Sequence, residues 1–128
     1  MMSENCFKPL VRYVDETEPL SCPYGQVKRV ITGGEYPAAN VHVVTVSCGG
    51  EHFHRAYDEV YYVLSGSGQL SLDGQHHVLR PGAVVVIPAG VVHALKADTT
   101  EDLTFIILGL PGMSIDSPNA MPLKPEPR

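Results

Sequence analysis

From about residue 26 onward the chain is cut into short apolar runs, each closed by a Gly or Pro cluster roughly every eight to twelve residues. The runs are "QVKRVITGG", "NVHVVTVSCGG", "EVYYVLSGSG", "QLSLDGQHHVLRPG", "AVVVIPAG", "HALKAD" and "LTFIILGLPG". They are rich in Val, Ile, Thr and Tyr, residues that fit a pleated, half-buried surface, and too short and too often interrupted for helices. In "QLSLDGQHHVL" the pair Asp73-Gly74 stands between two alternating runs, the strongest short-range hairpin signal. Many short strands with tight turns predict an all-β fold, an antiparallel sandwich or barrel.

At 128 residues the chain is long enough to bury about two-thirds of its unfolded surface in one core. Residues 1–25 read as an arm packing on a barrel of residues 26–110, and residues 111–128 as a Pro-rich tail that wraps the barrel or frays. Charged residues are 18% and hydrophobic residues 44%, an ordinary globular balance. A formal charge of −5 without a Lys/Arg cluster argues against a nucleic-acid partner. No secretory signal is expected in "MMSENCFKPLVRYVDETEPL". Nor is a membrane span, since "VVVIPAGVV" is broken by Pro88 and Gly90 well short of about 20 residues. Cys6, Cys22 and Cys48 lack CxxC spacing, which suits reduced thiols and a cytoplasmic location. Cys48 reads as a small buried hydrophobe rather than a ligand.

Against this background "CGGEHFHRAYDEVYYVLSGSG", residues 48–68, is unusual. On a strand His52 and His54 would share one face about 6.6 Å apart, and two imidazoles so placed can converge on one ion. Glu59, at the start of the next strand, would add a carboxylate after a bend, with Asp58 pointing away. His93, delivered by the Pro-Ala-Gly turn at residues 88–90, is the natural further ligand. Three histidines and a glutamate leave open positions for substrate, water or dioxygen.

Together these residues resemble the cupin family. Residues 49–66 resemble its first motif through His52, His54, Glu59 and Gly66, and residues 82–93 its second through Gly82, Pro88, Gly90 and His93. The short spacer is similar to that of small single-domain cupins. Val46 replaces the first motif's leading Gly, and Ala97 the Asn that often closes the second; neither position is a ligand. The resemblance implies a jelly-roll barrel (a double-stranded antiparallel β-helix) holding one divalent transition metal (Fe, Mn, Ni or Zn) on His52, His54, Glu59 and His93, and often a homodimer.

The expected function is metal-dependent action on a small oxygen-rich organic molecule, dioxygenase-like or isomerase/lyase-like. The alternative is a non-catalytic module that binds a small molecule or metal. Tyr61 should share the inward face of Glu59 and is the candidate proton donor, though an aromatic filling the barrel explains it as well; Tyr62 should face outward. Arg12, Arg29 and Arg80 are candidate anchors for an anionic substrate, with Arg80 at a solvated turn. His42 reads as a strand histidine without a role, and His76 and His77 as exposed hairpin residues. With ordinary imidazole pKa values near 6.5, metal affinity is expected to fall as the pH drops toward about 5.

Overall fold

The computed structural model describes residues 8–22, 25–98, 100–114, 117–118 and 121–126; Cys6 and the rest of the arm's first seven residues lie outside them. After a 3-10 turn at Val14–Glu16, the strands are β1 (Pro19–Cys22), β2 (Gly25–Ile31), β3 (Asn40–Val46), β4 (Cys48–His52), β5 (Asp58–Ser65), β6 (Gly68–Leu72), β7 (Gln75–Leu79), β8 (Val84–Ile87), β9 (His93–Ala97) and β10 (Leu103–Leu110). They form a six-stranded sheet, β1-β2-β3-β10-β5-β8, and a four-stranded sheet, β4-β9-β6-β7, with antiparallel strand pairings throughout. This is the antiparallel barrel that the strand punctuation predicts, in the jelly-roll form that the cupin resemblance implies.

The Asp73-Gly74 hairpin is present: Leu72 pairs with Gln75, and the two turn residues have φ of 47° and 86°, the consecutive left-handed pair a type I′ turn requires. Two elements differ from the sequence reading. "NVHVVTVSCGG" is two strands, because the chain passes at Ser47 from the six-stranded sheet into the four-stranded one. The arm contributes β1, which extends the sheet beyond β2. Arg12 ties the arm down by donating to the Val30 carbonyl at 3.1 Å and pairing with Glu35.

The core lies between the sheets, with Val63, Leu70, Leu79, Ile87, Leu103 and Phe105 almost fully buried. Strand alternation fixes what faces it. On β3 the inward positions are Asn40, His42, Val44 and Val46. Registers carry these positions across the sheet in rows: Val27, Val44, Phe105 and Val63 form one; Arg29, His42, Ile107 and Tyr61 the next; Asn40, Gly109 and Glu59 a third. The first is apolar core, while the other two bring polar groups to one end of the barrel.

The segment after β10 turns back over that end. The Asn40 side-chain oxygen accepts from the Gly33 and Met113 amides at 2.6 and 3.1 Å, and Gly33 donates to the Met113 carbonyl at 3.0 Å. A Cβ at Gly33 would overlap the Met113 backbone, so only glycine permits this approach. Further on, Phe53 and Leu123 exchange two backbone hydrogen bonds of 2.8 Å, and Met113, Met121 and Pro122 line the cavity beneath.

Candidate metal centre

A cavity of about 410 Å³ opens at the polar end of the barrel, with His52, His54, Glu59 and Tyr61 on its walls. His93 lies beneath, 1% exposed. The pairing of β4 with β9 sets His52 opposite His93, after a register shift between Gly49 and His52; an irregularity of this kind re-aims side chains. His54 lies just past the end of β4, where Gly90 donates to its carbonyl at 2.7 Å. Bends at Arg55 and Ala56 then turn the chain into β5. The expected bend between His54 and Glu59 is thus present. Asp58 points outward and accepts from the Ala89 amide at 2.8 Å.

One potential ligand nitrogen from each of His52, His54 and His93 lies within 4.8 Å of the other two. Glu59 is beside them, its Oε1 3.3 Å from His93 Nε2 and 3.6 Å from His54 Nε2. All four residues named from the sequence therefore meet at one place. Nδ1 of His52 and Nδ1 of His93 each lie 2.9 Å from a backbone carbonyl, of Gly50 and Val91 respectively. A carbonyl can only accept, so in each neutral ring Nδ1 carries the proton and Nε2 the lone pair, as metal ligation requires. His93 Nε2 is buried without a hydrogen-bond partner among the described residues, which is costly unless something else binds it. The donor set therefore fits a first-row divalent ion.

The electrostatics agree. Burial holds His54 down to about 4 against the opposing field of Glu59, with His52 and His93 adding to the depression. His52 is likewise lowered, chiefly by burial. Both are neutral near pH 7, so their approach to Glu59 is not an ion pair there. Proton competition at these two rings also begins at lower pH than ordinary histidines imply. Burial alone would push the Glu59 carboxyl up, but His93 and the fields of His54 and His52 bring it below its usual value, keeping a carboxylate available.

Around these groups the structure adds and corrects. Tyr57, not singled out from the sequence, is buried with its hydroxyl 2.7 Å from His54 Nδ1 and its ring stacked on the imidazole. Only its spacing of three residues from His54 could have hinted at this. Tyr61 faces inward, donates to Glu59 Oε1 at 3.4 Å and packs on Phe105, while Tyr62 is exposed; both follow from alternation. Cys48 is exposed and unpaired, correcting its reading as buried: it sits on an outward position of the short β4. His42, expected to have no role, lines the cavity. His76, His77 and Arg80 are exposed.

Residues 41–109, more than half of the chain, match the family model described as Cupin domain. The chain belongs to the cupin family. This cupin is 35% identical over 62 residues to quercetin 2,3-dioxygenase of Bacillus subtilis (strain 168), covering 47% of this chain and 18% of that protein. It is 33% identical over 79 residues to mannose-1-phosphate guanylyltransferase of Klebsiella pneumoniae, 58% of this chain and 16% of that one. The cupin thus spans less than a fifth of these relatives' lengths. A protein from Planctomyces limnophilus has the same fold, with a TM-score of 0.76 at 24% identity over 84% of this chain and 93% of that one.

Proposed function

We propose that this cupin holds one divalent transition metal through His52, His54, His93 and Glu59 and acts there on a small, oxygen-rich organic molecule. The observation that carries this reading is the convergence of three imidazole nitrogens within 4.8 Å beside a buried carboxylate, in a cavity large enough for a small ligand. Similarity to a dioxygenase supports a dioxygenase-like reaction, and the open coordination positions that three histidines and a glutamate leave on such an ion support an isomerase- or lyase-like one as well. A bound ion supplies Lewis acidity and, if it is iron, access to oxygen chemistry.

The chain's own groups do the rest. Backbone carbonyls of Gly50 and Val91 hold two rings in the ligating tautomer, and Tyr57 orients the third. Tyr61 holds a proton on its hydroxyl within reach of Glu59 and is the group we assign to proton transfer. Apolar walls at Val44, Leu95 and Phe105, with Met113 and Met121 above, limit water around the ligand. Exposed Val78, Val84 and Val86 on β7 and β8, the end strands of the two sheets, support a homodimer. The odd number of cysteines, with Cys48 a free thiol, supports a cytoplasmic setting.

The test incubates iron-, manganese-, nickel- and zinc-loaded protein with flavonols, keto-sugars and hydroxy acids, following oxygen uptake and proton NMR. Turnover that disappears in a folded His93→Ala variant supports an enzyme at this centre. Turnover unchanged in that variant removes the proposed site, and binding without turnover across the panel favours the alternative of a non-catalytic binding module.

A further inference from the structure

One polar pair in the cavity is unused by the metal centre. Arg29 on β2 and His42 on β3 are directly paired across strands, and both line the cavity. They occupy one end of the inward row that finishes at Tyr61, so Arg29 and Tyr61 are three strand spacings, about 14 Å, apart at their backbones. The wall next to them is apolar, formed by Val27, Val44 and Ile107. Arg29 makes no ion pair among the described residues, with Glu59, the carboxylate found among those lining the cavity, included. His42 Nε2 is buried and has no hydrogen-bond partner among the described residues.

A half-buried guanidinium and an orphaned ring nitrogen side by side are costly in an apolar wall unless a ligand completes them. Arg29 offers a planar fork of donors suited to a carboxylate or phosphate. Resting on the reading of this cavity as the substrate site, we propose that Arg29 and His42 form an anion subsite, so that the substrate carries an anionic oxygen group, carboxylate or phosphate, at the end away from the metal centre. His42 is lowered to about 4 by burial and by Arg29, against Glu59. It is therefore neutral near pH 7 and can hydrogen-bond the anion without competing for Arg29.

The test is calorimetric titration of the full chain with glutarate, inorganic phosphate and neutral glutaramide, in the parent and in Arg29→Gln, Arg29→Lys and His42→Phe, with folding checked by circular dichroism. His52→Ala and the metal content of every sample are followed in parallel. We expect at least one anion to bind and glutaramide not to. Arg29→Gln should weaken anion binding about ten- to hundredfold, the scale of a charge-assisted hydrogen bond, Arg29→Lys should retain part of it, and His42→Phe should weaken it less than Arg29→Gln. Preference for glutarate assigns a carboxylate and preference for phosphate a phosphoryl group. In addition, anion binding should move the His42 imidazole nitrogen resonances in the parent.

Failure of both anions to bind up to about ten millimolar, equal binding of glutaramide, or equal binding to Arg29→Gln would overturn the subsite. Binding insensitive to Arg29 yet lost in His52→Ala would place the anion on the metal, removing the subsite while leaving the centre. Arg29-dependent binding by a protein that takes up no metal would do the reverse.

Discussion

His52 and His93 are opposed residues on β4 and β9, with ring centroids 4.2 Å apart. One strand pairing therefore sets two of the three imidazoles. The third, on His54, depends on the bend after β4 and on Tyr57, whose hydroxyl lies 2.7 Å from its Nδ1.

Tyr57→Phe removes that hydroxyl and keeps the stacked ring. Loss of a group that orients a metal-bound histidine typically costs about 10- to 100-fold in affinity. Titration with Co(II), followed by visible absorption, should show a loss of that size with the fold intact; unchanged affinity would mean that Tyr57 only packs.

Glu59→Gln keeps the shape of the side chain and removes its charge. Metal affinity should fall by at least about tenfold, the scale of one lost charged interaction. Equal affinity in competition with a chelator would place Glu59 outside the ligand set.

Acid should destabilise the metal-free protein well before its carboxylates titrate. His42 and His54 are each lowered to about 4, first by burial, whereas in the unfolded chain both titrate near 6.5. Between these values the unfolded state binds the protons, so stability is full above about pH 7, falls as the pH drops through 6.5, and levels off below about 4. At pH 5 the loss is about 2 kcal/mol for each histidine. Urea midpoints at the two pH values measure it, and His42→Gln should remove about 2 kcal/mol of the pH 5 loss. A parent protein equally stable at pH 5 and pH 7 would contradict these shifts.

Leu70 is 0% exposed, between β7 and β9, while Val78 on the neighbouring strand is 73% exposed. Leu70→Ala should cost about 3 kcal/mol, and Val78→Ser less than about 0.5 kcal/mol at concentrations where the protomer is alone, by denaturant unfolding, with a larger cost at high concentration if this face forms the homodimer. Similar costs at both positions would mean that the outer face of β7 is covered in solution.

Asn40→Ala leaves the Gly33 and Met113 amides without their shared acceptor. It should destabilise by about 1–3 kcal/mol and speed hydrogen exchange at Met113. If exchange there is unaltered, the returning segment is held by its other contacts.

Much of the fold was legible because strand alternation and turn chemistry are local. Asp73-Gly74 announced its hairpin, and the two-residue period placed Tyr61 inside and Tyr62 outside. The crossing between sheets at Ser47 was not legible, because "VTVSCGG" reads as one strand until its two halves find different partners. The four metal-centre candidates were visible as motif residues, but the opposition of His52 and His93 depends on a pairing no local pattern specifies. His42 was within reach: it shares the parity of Val44 and Val46, so a core-facing Val44 already implied a core-facing His42. Tyr57 was hidden because its role depends on a bend, where side-chain direction has no fixed period.

If His52, His54 and His93, with Glu59, hold a metal ion, the protein should carry it through purification. Inductively coupled plasma mass spectrometry of the untagged protein, purified without added metal, beside His52→Ala tests it most directly. About one equivalent of a first-row divalent metal is expected in the parent and little in the variant. A parent that contains no metal and takes up none on addition, or a variant that keeps as much as the parent, would contradict it.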